Sequence, residues 1–210
     1  MKKALLLGLL ISIVAVGGYW YYRTVVTASP QYSLAQAANA VRIHDVATFE
    51  RYVDIDRVAR NLVDQVADES SALEGLNVNR DIIQSALQLL KPQLAKSAQQ
   101  EVRQYIESGS AQKAAAAGQQ IGGMNISVLG LAGRVIGPNP AFKGIKYVNQ
   151  QDGQTLVGLE ITQPQYDTTL VLELRMLDQG NYWRVTEIAN MGTLIKHTAR
   201  LENQRLLKSQ

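Results

Sequence analysis

The apolar residues of this chain change period partway along. Up to Ile106 they recur every third or fourth position, and from Lys146 they recur every second. A chain built this way must place helices before strands. Thr155 to Thr162 sets Val157, Leu159 and Ile161 against Glu160, and Thr168 to Leu177 sets Leu170, Leu172, Leu174 and Met176 against Thr169, Val171, Glu173 and Arg175. Such alternation describes strands with one covered face. Asp152-Gly153 and Asp178-Gln179-Gly180-Asn181 supply turn chemistry between them. An antiparallel meander is therefore predicted over Lys146–Gln150, Thr155–Thr162, Asp167–Leu177 and Tyr182–Ile188. Something must cover its apolar face, and the preceding helices are the available material.

Their limits are written locally. Ser29 is placed to cap a helix with Pro30 at its first position, running to about Ile43 with Leu34, Ala38 and Val41 inward. Asp45 caps a short helix carrying Val46, Phe49 and Val53, and Asp54 caps a third with Ile55, Val58 or Ala59, Leu62 and Val66 on one side. From Asp81 to about Ile106 a longer stripe uses Ile83, Leu87, Leu90, Leu94, Ala98, Val102 and Tyr105. Within it, Pro92 is expected to kink the helix or split it at Lys91. The glycine-spaced stretch Ile121 to Gly137 reads either as a loop or as a short helix, Ile126 to Ile136, closing over the sheet. The fold class is α+β, a helical layer on a C-terminal antiparallel meander. The domain spans residues 29–190, and residues 191–210 form a basic terminal helix or tail carrying Leu194, Leu201, Leu206 and Leu207.

Ahead of this domain, Lys2-Lys3 precedes an uncharged run from Ala4 to Tyr22, closed by Tyr19-Trp20-Tyr21-Tyr22 and Arg23. Its nineteen residues reach about 28 Å as a helix, one hydrocarbon thickness. The sequence thus predicts a cytoplasmic stub and transmembrane anchor over 1–23, a linker over 24–28, and a domain outside a bacterial inner membrane, oriented by the two leading lysines. The alternative is secretion after cleavage near Val26-Thr27-Ala28, against which the length of the run and its aromatic end both argue. With no cysteine in the chain, lipidation at a cysteine is excluded and the core must hold without disulfides.

The net charge of +3 at first suggests nucleic acid, but residues 24–190 hold fourteen basic against seventeen acidic side chains. A mildly acidic body without basic clusters argues against that partner. Catalytic patterns are equally thin. His44-Asp45 looks like an acid–base pair, yet Asp45 is explained as a cap, as are Asp54 and Asp56 at the next helix start. Ser127 lies in no Gly-x-Ser-x-Gly and has no nearby base in the sequence, and the glycines around it precede no Gly-Lys-Ser/Thr. Two histidines and no cysteine give no expectation of a metal, a cofactor or a catalytic residue. Tyr32, Tyr52, Tyr147 and Trp183 are the residues that could line a pocket for an apolar ligand, with core packing as the commoner fate of such side chains.

Ser29-Pro30-Gln31-Tyr32, Asp45, Tyr52-Val53-Asp54-Ile55, Leu172-Glu173-Leu174-Arg175 and Tyr182-Trp183-Arg184-Val185-Thr186-Glu187-Ile188 together resemble the bacterial family called domain of unknown function 2939. The resemblance covers residues 1–66 and, less closely, 145–190; it implies a membrane segment ahead of the domain. Where the family usually has an aromatic residue and a proline after its Val-Asp, this chain has Ile55-Asp56. More distantly, the helices-then-meander order is similar to the cystatin-like, nuclear-transport-factor-2-like superfold, which often holds a conical pocket. Fold likeness assigns no activity. The expected function is a membrane-anchored binding or interaction module with an envelope protein or apolar ligand as partner. The alternative is an envelope enzyme or lipid or small-molecule carrier with a pocket between sheet and helices.

Overall fold

The computed structural model describes residues 28–69, 80–116, 118–121, 124–137 and 140–208, with 80–90, 119–121, 124–126, 128, 131 and 208 described as backbone. The predicted anchor, residues 4–22, lies outside the described residues. Among those described, no helix is long and apolar enough to cross a membrane. The chain forms α1 (Pro30–Arg42), α2 (Val46–Tyr52), α3 (Ile55–Asp68), α4 (Arg80–Ser108) and α5 (Ala111–Ala116). A small hairpin, β1 (Gln119–Ile121) and β2 (Met124–Ile126), leads into α6 (Val128–Ile136). Next come β3 (Phe142–Gln151), β4 (Gln154–Gln163), β5 (Thr168–Asp178), β6 (Trp183–Ile188) and α7 (Met191–Lys208).

The helix starts follow from their caps. Ser29 Oγ accepts from the Tyr32 amide, Asp45 from the Thr48 amide at 3.0 Å and its hydroxyl at 2.6 Å, and Asp54 from the Arg57 amide at 3.1 Å. Each satisfies a donor that a helix N-terminus otherwise leaves open. Asp54 is sufficient to start α3 at Ile55 without the family's proline. Along α3, Ile55, Ala59, Leu62, Val63 and Val66 are buried.

Two faces differ from those predicted. On α1 the buried residues are Pro30, Ser33, Ala37 and Ala40, while Ala38 is exposed. The reason is a polar contact: Ser33 Oγ accepts the Trp183 amide at 2.9 Å, and the small residues on that side let the helix lie close to β6. On α4, Leu94 and Ala98 are buried as expected, but Tyr105 is exposed, Val102 is half-buried, and Glu101 and Ile106 point inward instead. The helix also runs through Pro92 without a break. Pro92 is on its exposed side. The side chains of Ile83, Leu87 and Leu90 lie outside the described residues. Of the two readings of Ile121–Gly137, the helix is the one adopted, from Val128, capped by Ser127 and ended at Gly137 with φ 89°. The hairpin before it was not anticipated.

The meander has the predicted order, β3-β4-β5-β6, all antiparallel. Asp152 and Gly153, at φ 45° and 72°, make the β3–β4 turn, the left-handed pair that matches strand twist. Val157, Leu170, Leu172, Leu174, Met176, Trp183 and Val185 form one cluster with Ala59, Leu62, Val63 and Val66 of α3, Leu94 and Ala98 of α4, Val135 of α6, and Met191, Leu194 and Ile195 of α7. The first turns of α7 are thus part of the core. Where β6 ends, the side chain of Asn190 continues the ladder, accepting the Glu173 amide at 3.0 Å and donating to the Val171 carbonyl at 2.8 Å. The residues between α2 and α3 lie along β6: Val53 bridges Val185 in parallel, and the Asp54 amide donates to the Val185 carbonyl. At the opposite edge, β3 carries register shifts and exposed Phe142 and Ile145, flanked by Lys143 and Lys146, irregularities that discourage pairing with another chain.

Candidate interaction surface

The polar residues singled out in the sequence hold elements in place. His44, at φ 61°, lies with Nδ1 2.6 Å from the Ile106 carbonyl, so that nitrogen carries the proton and donates. The imidazole ring packs on Gly109, where an added Cβ would lie 2.8 Å from Cε1. Asp45 points to Thr48, whose hydroxyl and amide hold the carboxyl below the usual range. Asp56 pairs with Arg60 at 2.5 Å, and Asp54 lies 3.8 Å from Arg184. Ser127 does meet a carboxylate that linear spacing could not show. Its hydroxyl donates to Glu101 at 2.7 Å, and the Leu129 amide donates to the same oxygen at 2.8 Å. Ser127 Oγ meanwhile accepts from the Gly130 amide at 2.8 Å. Glu101 is fully buried at the start of α6, where a helix favours negative charge. The pair reads as an extended cap, with the serine's proton and one of its lone pairs both engaged.

The four aromatic residues do not surround one cavity. Trp183 is in the core, and its indole donates to the Ala28 carbonyl at 2.7 Å. Tyr52 meets Tyr182 edge to face at 5.7 Å, with the Arg51 guanidinium over both rings. Tyr32 follows the start of α1, its amide on Ser29. These three belong to the β6 side of the domain. Tyr147 is on the sheet face turned away from the core.

That outer face carries two cross-strand rows. In one, Tyr147, Gly158 and Glu173 lie side by side across β3, β4 and β5. The tyrosine hydroxyl donates to Glu173 at 2.5 Å. Its ring occupies the space above Gly158, where a Cβ would come within 2.6 Å of ring carbons. A strand glycine covered by a neighbouring aromatic is a known device for keeping register. In the other, Asn149, Leu156, Arg175 and Glu187 align across all four strands, with Arg175 Nε 2.8 Å from Glu187. Beside this row an open cleft of about 460 Å³ is lined by Asn149, Gln150, Gln154, Thr155, Leu156 and Arg175, among others. Its lining is mostly amide and hydroxyl groups, suited to hydrogen-bonding a polypeptide.

The hydrogen bond to Glu173, helped by burial and the carboxylate charge, pushes the Tyr147 phenol up to about 12. Because the folded value exceeds the unfolded value of about 10, this pair stabilises the fold below pH ~10, and the contribution is lost as pH rises toward ~12. Tyr147→Phe is expected to reduce the phenolate absorbance step near pH 12, leaving the part contributed by Tyr166, which burial and Glu202 hold in the same range. Gly158→Ala is expected to move the Tyr147 share of that step down toward ~10, because the added methyl group displaces the ring. An unchanged titration in Gly158→Ala would contradict the packing described.

A four-stranded antiparallel sheet covered on one face by helices defines an α+β domain. Residues 21–109 match the family model described as "Protein of unknown function (DUF2939)". The match bears out the resemblance to that family, reaching through α4 and stopping short of the meander. No curated protein and no solved structure matches the chain.

Proposed function

We propose that the chain is a membrane-anchored interaction module of the bacterial cell envelope, held by residues 4–22 in the inner membrane with its domain on the outer side, and that it binds a polypeptide partner on the free face of its sheet. The observation that carries this reading is the outer face itself: a preformed row of Asn149, Leu156, Arg175 and Glu187 beside a cleft rich in side-chain amides. The layer between sheet and helices supports the same conclusion from the other direction. There the described side chains form one contiguous apolar cluster, and buried Gln163 and Thr198 are both directed to the Val135 carbonyl. A carrier or enzyme using that layer needs convergent polar groups facing a cavity. The order of helices followed by a curved meander fits a cystatin-like arrangement, which is part of the proposal and supplies no activity of its own.

The test is native mass spectrometry of the full-length protein solubilised gently from its host membranes. The expected result is retention in the membrane after alkaline washing and a complex with one protein, lost when Arg175→Glu and Leu156→Arg are combined. A stoichiometric lipid or small molecule that survives those substitutions would replace this reading with the carrier.

A further inference from the structure

The end of the domain nearest the predicted anchor is fixed by the structure. The apolar run ends at Tyr22, and Ala28 is already fastened to the sheet, its carbonyl held by the Trp183 indole at 2.7 Å. The five residues between, 23–27, span at most about 18 Å when fully extended. Whatever surrounds Ala28 is therefore close to the bilayer if residues 4–22 cross it. Trp183 follows the turn between β5 and β6, so this is the end of the sheet that carries residues 178–182; the β4–β5 connection, Pro164–Tyr166, is at the other end. An eleven-residue strand such as β5 separates the two by about 36 Å.

At the near end the domain presents Arg51, Tyr52 and Tyr182. The guanidinium carbon lies 5.9 Å from the centre of the Tyr52 ring and 5.1 Å from that of Tyr182. Arg51 is exposed, and among the described residues it has no acidic partner, whereas Arg103, Arg175, Arg184 and Lys196 all do. Tyrosine is enriched where hydrocarbon gives way to water, and a guanidinium matches phosphate oxygens in a planar fork. The acidic residues of this end are Asp152 and Asp178 on the turns, where the Gly180 amide engages Asp178 at 2.7 Å, and Glu50 and Asp54 beside the cluster, held by Arg103 at 2.6 Å and Arg184 at 3.8 Å. They confine the contact to the Arg51 cluster and leave no broad basic surface.

We propose that Arg51, with Tyr52 and Tyr182, docks this end of the sheet on the lipid phosphates of the membrane that holds the anchor, standing the sheet upright on the bilayer. This rests on the anchored reading above. The chain contains no cysteine, so single reporters are introduced without removing native residues. Full-length Asn181→Cys and Gln165→Cys proteins, each labelled with an environment-sensitive fluorophore, are placed in nanodiscs of phosphatidylcholine with a minority of phosphatidylglycerol and headgroup-linked nitroxide quencher. The expected result is quenching several-fold stronger at position 181 than at 165. Adding Arg51→Glu is expected to reduce the value at 181 to that at 165, while Arg51→Lys retains most of it. Equal quenching at the two positions, stronger quenching at 165, or no response to Arg51→Glu would overturn the docking. Alkaline washing of the same membranes separates the two readings: release of the protein defeats the anchor and the docking with it, whereas retention with any of those quenching results defeats the docking alone.

Discussion

Trp183→Ala is expected to destabilise the domain by about 3–5 kcal/mol, the range for removing a buried large aromatic side chain. The indole is 3% exposed and belongs to the central cluster. Its loss also frees the Ala28 carbonyl, while the backbone amide of residue 183 keeps Ser33. Trp183→Phe separates the two contributions. It retains most of the packed ring and removes the indole N–H, so a smaller loss of about 1–2 kcal/mol is expected, combining one hydrogen bond with a modest void. Denaturant unfolding followed by far-ultraviolet circular dichroism measures both. Equal losses in the two variants would mean that the tie to Ala28, and not the volume of the ring, holds α1 against β6.

Glu101→Ala is expected to cost about 3 kcal/mol, since two donors around the start of α6 lose their acceptor together and a buried site is left partly empty. One carboxylate oxygen receives both the Ser127 hydroxyl and the Leu129 amide. Glu101→Gln keeps an oxygen of the same reach but no charge, so it is expected to lose about half as much. Hydrogen exchange should locate the effect. Amides of α6 from Gly130 onward are expected to lose protection before those of β4 and β5. Uniform loss across the domain would show that Glu101 supports the whole core and not the α6 cap. A third variant, Ser127→Ala, addresses chemistry: if Ser127 were a nucleophile with Glu101 as its base, it would abolish an activity while sparing stability, whereas loss of a cap lowers stability.

The parts of this fold that were legible are those fixed by neighbours in the sequence. Ser29, Asp45 and Asp54 each cap the helix that begins at the next residue, and a donor three residues away is always within reach. The alternation of Leu170, Leu172, Leu174 and Met176 fixed the covered face of β5 because strand periodicity leaves no choice of side. Glu101 was not legible, since a glutamate on a helix ordinarily faces water and its partners lie 26 and 28 residues ahead. The α1 face was misjudged at Ala38 for a similar reason: Leu34 does pack against the core, but a hydroxyl contact 150 residues away drew Ser33 inward and left Ala38 exposed. Of the candidate site, the aromatic residues were visible but their separation was not, because register between strands decides it. Gly158, lying inside a predicted strand, was the available signal for the Tyr147 row.

The parallel contact between Val53 and Val185, with α3 packed on the same sheet, changes what counts as the unit of this protein. Residues 21–109 match the family model, yet the apolar side of α3 finds its cover among strands that begin at Phe142. The boundary drawn by sequence similarity therefore passes through a single packed core. Taken alone, residues 21–109 would lack the strands that enclose the interior of this domain.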